Sequence, residues 1–161
     1  MSMPFNADEV FEMAEQIERN GGKFYRAAAE KFPAVRDILL ILAAMEDKHE
    51  ETFADMRAEL SGTELQEPLF DPDQQAQMYL RAMADGHVFD IKADPAEKLA
   101  DKDTPEEVLK MAIGAERDSI AFYVGLKDAV SNKAGKDKVD DIIKEEMSHI
   151  VTLNEKLQDL M

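Results

Sequence analysis

Two long stretches of the sequence carry apolar residues at the spacing of an α-helix that buries one face. Residues 34–60 show this i, i+3, i+4, i+7 pattern at Val35, Ile38, Leu39, Leu42, Phe53, Met56 and Leu60. Residues 136–160 show it at Val139, Ile142, Ile143, Leu153, Leu157 and Leu160. The periodicity predicts two amphipathic helices that share a core. No stretch alternates apolar and polar residues as a half-buried strand does, so we predict an all-α fold.

Two further helices are predicted from their start signals. Asn6 followed by Glu9 forms a capping-box pattern, and it predicts a helix over about 6–31 that stops before Pro33. Thr104, with a proline next to it and Glu107 three residues on, predicts a helix over about 105–131. Together with the helices over about 34–60 and 136–160, these make a four-helix bundle.

The segment 61–104 is predicted to be a long crossover between the second and third long helices. Prolines at 68, 72 and 95 interrupt it, and one short helix is predicted over about 73–85. A crossover of this length would let the second and third long helices run parallel. We therefore predict a single domain over residues 1–161 with the architecture of a four-helix bundle.

Ionisable residues interrupt the apolar faces of these helices. Glu46 and His49 fall in the gap of the apolar pattern of the second helix, and Glu146 and His149 fall in the gap of the fourth. Such residues therefore face the core. The first and third helices each add one glutamate, Glu18 and Glu116, four residues after an alanine and seven before a tyrosine.

These residues form a repeated pattern. Glu-Arg, then Phe-Tyr, then Glu-x-x-His occurs once in each half of the chain, with Glu18 and Glu116 98 residues apart and Glu46 and Glu146 100 residues apart. One Glu-x-x-His on a helix is usually a surface coincidence. Two copies, each preceded by a matching helix, are typical of a bundle that holds two iron or manganese ions.

Electrostatics also favours metal over an empty polar core. Four buried carboxylates repel one another and lose hydration, which costs several kcal/mol per ion unless each is paired. Two divalent cations would cancel four negative charges. We predict the ligands Glu18, Glu46, His49, Glu116, Glu146 and His149. Because the set is rich in carboxylates, iron or manganese is favoured over tetrahedral zinc.

Composition excludes several other functions. The chain of 161 residues has a formal net charge of −16, so we expect neither nucleic acid nor a membrane as a partner. It has no cysteine, which excludes disulfides and thiol chemistry. Its longest apolar run, 38–45, is too short to span a bilayer, and 1–10 lacks a signal-peptide pattern. We therefore expect a cytoplasmic location.

Other polar residues have less specific roles. Tyr25 and Tyr123 are either partners that hydrogen-bond the terminal glutamates or core aromatics whose hydroxyls reach solvent; the sequence leaves both readings open. Glu50 and Glu145 lie next to predicted ligands, but one helical step turns them off the inner face, so we expect them to be solvated. His87 is expected to be a surface residue of the crossover.

The paired Glu…Glu-x-x-His pattern resembles the ferritin-like di-iron superfamily, and most closely the rubrerythrin-type domain, over nearly the whole chain. The resemblance implies that Glu18 and Glu116 are terminal ligands, and that Glu46 and Glu146 bridge the two metals. It also implies that His49 and His149 each hold one metal. A tyrosine seven residues after the first glutamate, here Tyr25, is typical of the family as well.

The chain departs from the family pattern at several points. It lacks the four cysteines of a rubredoxin domain, so a separate electron-donor protein is expected. An extra glutamate common in rubrerythrins is Ser119 here, which leaves the redox-linked ligand exchange of the family open. Asp47 stands where bacterioferritins have a haem-ligating methionine, so haem is not expected. The sequence also ends with the fourth helix, which disfavours a storage cage.

The function that the resemblance implies is that of a non-haem di-iron redox protein. Two iron ions, with manganese as an alternative, would reduce hydrogen peroxide or dioxygen, in oxidative-stress defence or iron handling. A ferroxidase that oxidises iron is one alternative. Another is a structural helical interaction module with a non-redox metal. By analogy with ferritin-like domains, we expect a homodimer.

Overall fold

The protein is described here by a computed structural model that covers residues 5–60, 62, 73–84, 94–130 and 132–161. These residues form five α-helices: α1 Ala7–Lys31, α2 Arg36–Ala58, α3 Gln75–Ala84, α4 Pro105–Ala129 and α5 Lys133–Leu160. Short 3-10 turns at Pro33–Val35 and Pro95–Leu99 precede α2 and α4. No strand occurs in the described part of the chain. The predicted all-α fold is confirmed.

Capping residues fix where the long helices begin. The Asn6 side chain accepts from the Glu9 amide at 2.8 Å, and the Glu9 carboxylate accepts from the Asn6 amide, so the capping box forms. α5 begins three residues earlier than the predicted 136 because the Asn132 side chain accepts from the Gly135 amide at 2.7 Å. Pro33, in contrast, opens a 3-10 turn rather than the first turn of α2.

The short helix of the crossover packs on α4. α3 spans Gln75–Ala84, inside the predicted 73–85, and the Tyr79 hydroxyl donates to the Ala121 carbonyl of α4. Leu80 is completely buried. Much of the predicted crossover, at 61, 63–72 and 85–93, lies outside the described residues, as does the prediction that His87 is a surface residue.

Cross-helix pairs give the direction of the first two helices. Arg57, near the end of α2, binds Asp8 at the start of α1 at 2.6 Å, whereas Arg19 binds Glu50 in the middle of both helices at 2.9 Å. Residue numbers rise along one helix as they fall along the other, so α1 and α2 form an antiparallel hairpin. α4 and α5 form a second one, in which Lys127 binds Asp140 at 2.8 Å.

Two buried tyrosines give the relative direction of the hairpins. Tyr25 of α1 bonds to Glu116 of α4, and Tyr123 of α4 bonds to Glu18 of α1. α1 and α4 therefore run antiparallel, and α2 and α4 run parallel, as a long crossover between them allows. The four-helix bundle predicted from the sequence is confirmed. Within the described residues, no helix combines the length and the apolar character needed to cross a membrane.

Alanine substitutions at two glycines of α4 test how α3 is held against that helix. A Cβ on Gly125 would lie 2.6 Å from two ring carbons of Tyr79, whereas a Cβ on Gly114 would meet nothing within 4 Å. Both Gly→Ala changes gain helix propensity of about 0.5–1 kcal/mol. We expect Gly114→Ala to raise the free energy of unfolding by that amount. Gly125→Ala should lower it by about 1–3 kcal/mol, because Tyr79 must leave its position.

Urea unfolding of both variants and wild type checks this prediction. Since the two glycines lie in the same helix, any general effect of alanine cancels between the variants. Equal changes in the two variants would mean that Tyr79 does not hold α3 against α4.

Candidate metal centre

The six predicted ligands all lie inside the bundle. Glu18, Glu116 and Glu146 are fully buried, and the exposed fractions of Glu46, His49 and His149 are 1%, 2% and 3%. α1 and α4 each supply one glutamate, and α2 and α5 each supply a glutamate and a histidine one helical turn apart. The apolar periodicity of the helices therefore carries these polar side chains into the core, as the sequence predicts.

The six side chains divide into two overlapping groups. The first group is Glu18, Glu46, His49 and Glu146, and the second is Glu46, Glu116, Glu146 and His149. Within each group, one ligand atom per residue lies within 4.8 Å of all the others. Glu46 and Glu146 belong to both groups, so the arrangement provides two adjacent positions for cations that share two carboxylates.

The histidines present the same nitrogen to this cluster. The Nδ1 atom of His49 lies 2.7 Å from Glu146 and 3.6 Å from Glu18. The Nδ1 atom of His149 lies 3.3 Å from Glu46 and 3.4 Å from Glu116. The two imidazole rings are stacked, with their centroids 5.7 Å apart. Each histidine is therefore placed to donate an Nδ1 lone pair to one of the two positions.

Many polar atoms of the cluster have no hydrogen-bond partner among the residues that the structure describes. They are Glu18 Oε2, Glu46 Oε1, His49 Nδ1, Glu116 Oε2, both carboxylate oxygens of Glu146, and both ring nitrogens of His149. The Nδ1 contacts just described are short, but they lack hydrogen-bond geometry. An unsatisfied buried polar atom costs about 1–3 kcal/mol, so native cores rarely keep several together. Oxygen and imidazole donors aimed at shared points fit divalent cations.

The electrostatics of the cluster favours protons or cations between the carboxylates. Burial raises the pKa of Glu46 and Glu146 well above the usual range of a glutamate, and the charge of Glu116 raises both further. Burial also acts to raise the pKa of Glu116, but its close approach to the Glu146 carboxyl group and the His149 ring outweighs burial and lowers that pKa. Glu46 and Glu146 therefore retain their protons to a higher pH than an ordinary glutamate, and bound cations would displace those protons.

Tyr25 and Tyr123 hold the two glutamates that belong to only one group each. The Tyr123 hydroxyl donates to Glu18 Oε1 at 2.5 Å, and the Tyr25 hydroxyl donates to Glu116 Oε1. Both tyrosines are fully buried, and burial, followed by the charge of the glutamate each one contacts, raises their pKa well above 10.0. Their hydroxyls remain protonated donors, and they face the carboxylates rather than solvent.

Sequence reasoning missed one residue of the site. Glu145 was expected to be solvated, but its Oε2 lies 2.5 Å from Nε2 of His49 while 48% of its side chain stays exposed. The sequence does carry a signal, since Glu145 follows the buried Ile142 by three and so lies at the edge of the apolar face of α5. Glu50, also expected to be solvated, instead binds Arg19 and is 27% exposed.

Two positions where the chain departs from family patterns also have defined contacts. Ser119 is buried, and its hydroxyl donates to the Ala115 carbonyl at 3.1 Å, one turn earlier in α4. Asp47 points away from the cluster and binds Arg26 of α1. Neither side chain contributes to the two groups of ligand atoms.

Comparison with known proteins agrees with this geometry. The family model for rubrerythrin matches residues 9–157. The chain belongs to the rubrerythrin family. A crystal structure from Thermotoga maritima, described as a ferritin-like diiron-carboxylate protein, superposes with a TM-score of 0.76 at 28% identity and covers 100% of both chains. No curated protein sequence matches the chain.

The segment that matches the rubrerythrin family includes both copies of the repeated pattern. The matched segment contains all six members of the cluster and both tyrosines. The donor set of this rubrerythrin-family protein, four carboxylates and two imidazoles, also fits a pair of first-row metal ions on chemical grounds. The family resemblance predicted from the sequence is confirmed.

Proposed function

We propose that this protein is a non-haem di-iron oxidoreductase that reduces hydrogen peroxide or dioxygen. The observation that carries the proposal is the pair of overlapping ligand groups that share Glu46 and Glu146. The buried atoms without hydrogen-bond partners support it independently, because a cation at each position would satisfy the carboxylate oxygens and the two Nδ1 atoms among them. Manganese has the same ligand preferences, so it is the alternative metal.

Each residue of the cluster has a distinct part in this proposal. Glu18 and His49 would hold one ion, Glu116 and His149 would hold the other, and Glu46 and Glu146 would bridge both. When bound, the iron pair would supply two electrons to the oxidant, and a separate electron-donor protein would restore them. With peroxide the overall change is H2O2 plus two electrons and two protons giving two molecules of water.

The surrounding side chains would keep the centre ordered and dry. Tyr25 and Tyr123 each fix one carboxylate oxygen, which limits the ways in which Glu116 and Glu18 can rotate. Phe53 packs 5.0 Å from the ring of Tyr123, and Phe24 and Phe122 pack against the two tyrosines at 5.5 and 5.9 Å. All three phenylalanines are fully buried, so bulk water is excluded from this side of the cluster.

An anaerobic titration followed by oxidation tests the proposal. Metal-free protein is titrated with Fe(II), and we expect two ions per chain. Stopped-flow mixing of the loaded protein with hydrogen peroxide or with dioxygen should then show rapid formation of Fe(III), with one peroxide consumed per two irons. After reduction with dithionite, the same protein should react again with unchanged amplitude.

Other outcomes would select a different function. Many turnovers of added Fe(II) with release of Fe(III) or a mineral would identify a ferroxidase. Two ions that neither oxidant changes would identify a structural metal pair. A chain that binds no iron or manganese would overturn the proposal.

A further inference from the structure

The two positions for cations differ in the contact that each histidine makes through its outer ring nitrogen, Nε2. On the far side of its ring from the cluster, His49 contacts the carboxylate of Glu145 at 2.5 Å through Nε2. The Nε2 atom of His149 has no hydrogen-bond partner among the described residues. The repeat explains this difference, because the residue before Glu146 is Glu145 and the residue before Glu46 is Met45.

Glu145 also stands between His49 and solvent. A cleft of about 470 Å³ opens between α2 and α5, and its walls include Lys48, Lys138, Asp141 and Glu145. His49 forms part of the cleft floor, although only 2% of its side chain is exposed, whereas Glu145 is 48% exposed. The carboxylate of Glu145 therefore covers the ring edge that would otherwise face the cleft.

We propose that Glu145 is a positioning residue that fixes the ring of His49 and controls exchange of one metal ion through the cleft between α2 and α5. This inference rests on the proposed two-metal centre. An acceptor on Nε2 holds that nitrogen in its N–H form, so the Nδ1 lone pair is directed at the Glu18–His49 position. In the described part of the chain, the Glu116–His149 position lacks such a partner, so the two ions would be inequivalent.

Three variants separate positioning from charge. Glu145→Ala removes the acceptor and the charge, Glu145→Gln removes the charge but keeps an oxygen that can accept from Nε2, and Asp141→Asn removes a charge from the same cleft without touching His49. Iron binding is measured by anaerobic Fe(II) titration. Iron release is followed by the absorbance of a chromogenic Fe(II) chelator added in excess.

The expected results are specific to one ion. Glu145→Ala should lower the affinity for one of the two ions by about 10- to 100-fold, which is the usual effect of removing a residue that orients a metal ligand. The release of that ion should become faster by a similar factor. The other ion should be unchanged. Glu145→Gln should have a smaller effect, and Asp141→Asn should behave as wild type.

Combining Glu145→Ala with the loss of one predicted ligand identifies which of the two metal positions is affected. In a Glu116→Ala background the Glu18–His49 position keeps all four of its ligand residues. In that background Glu145→Ala should lower the affinity for the one ion that still binds. In a Glu18→Ala background it should have no effect. The positioning role would be overturned if Glu145→Ala lowered the affinity for both ions equally or for neither. It would also be overturned if Glu145→Gln had as large an effect as Glu145→Ala.

The readouts keep this inference separate from the proposed redox function. Binding and release are measured without an oxidant, so a pair of ions that proves to be redox-inactive leaves the test of Glu145 valid. A wild-type chain that binds two ions but responds to none of the variants overturns only the role of Glu145. A wild-type chain that binds no ions overturns both.

Discussion

Glu146→Ala is expected to abolish tight binding of both metal ions, whereas Glu116→Ala should abolish only one. The difference follows from the geometry, because Glu146 belongs to both groups of ligand atoms and Glu116 belongs to one. Loss of a bridging carboxylate removes a donor from each ion and one negative charge from between them. We expect each affinity to fall by more than the 10- to 100-fold that is usual for outer residues.

Metal analysis after anaerobic loading and gel filtration measures the effect as ions per chain. We expect two for wild type, about one for Glu116→Ala and near zero for Glu146→Ala. Glu50→Ala is the matched control, because Glu50 lies next to His49 in α2 but binds Arg19 outside the cluster. It should retain two ions. Full occupancy in both ligand variants would disprove the shared-carboxylate arrangement.

The stability of the metal-free protein is expected to fall as the pH rises above the range in which an ordinary glutamate loses its proton. The folded-state pKa values of Glu46 and Glu146 lie above 4.5, so the folded protein holds protons that the unfolded chain has released. Each such proton lowers the free energy of unfolding by about 1.4 kcal/mol per pH unit. The decline begins above the ordinary glutamate range and ends at the raised folded-state values.

His49 changes stability in the same direction. Burial acts to lower its pKa, but the carboxylates of Glu18 and Glu145 outweigh burial and raise it, so its contribution to stability is also lost as the pH rises. Glu116 has a lowered pKa, so its contribution is lost only on acidification. Above the ordinary glutamate range, the loss of stability is therefore governed by the groups whose pKa is raised.

Metal loading should reverse this pH dependence. Cations replace the retained protons, so binding tightens as the pH rises, and free metal at 100 times its dissociation constant adds about 2.7 kcal/mol. Urea unfolding at several pH values between 5 and 8 measures how the free energy of unfolding changes with pH. The metal-free protein is measured with chelator, and the loaded protein with excess Mn(II). The double variant Glu46→Gln, Glu146→Gln should flatten the metal-free slope. An unchanged slope in that variant would place the responsible protons elsewhere.

Most of the fold could be predicted from local sequence signals. The capping box at Asn6, the start at Thr104 and Pro105, and the apolar periodicity of α2 and α5 each act over a few residues, and the structure contains all of them. The start of α5 was placed three residues too late, because the cap at Asn132 is a weaker pattern than the capping boxes. The first turn of α2 differs, since Pro33 begins a 3-10 turn and α2 itself begins at Arg36.

The candidate site was predictable to the extent that it follows helix periodicity. The six cluster residues share the apolar faces of their helices, so a single sequence places them in the core. Contacts that depend on how far one helix lies from another could not be predicted. The contact of Glu145 with His49 depends on the distance between α2 and α5. The hydrogen bonds of Tyr25 and Tyr123 to glutamates of the opposite hairpin depend on the direction of α1 relative to α4.

The crossed hydrogen bonds of the tyrosines have a consequence for how such a centre could originate. Each hairpin contains one tyrosine, one glutamate that belongs to one group of ligand atoms, one glutamate that belongs to both groups, and one histidine. The tyrosine of each hairpin donates to the glutamate of the other hairpin that belongs to one group only. Neither hairpin alone completes either group of ligand atoms. Two copies of one hairpin, related by a twofold axis, would supply the entire set. A peptide of half this length could thus have formed the same set of ligand atoms as a symmetric pair, and Glu145, which corresponds to Met45, is one position at which the two halves now differ.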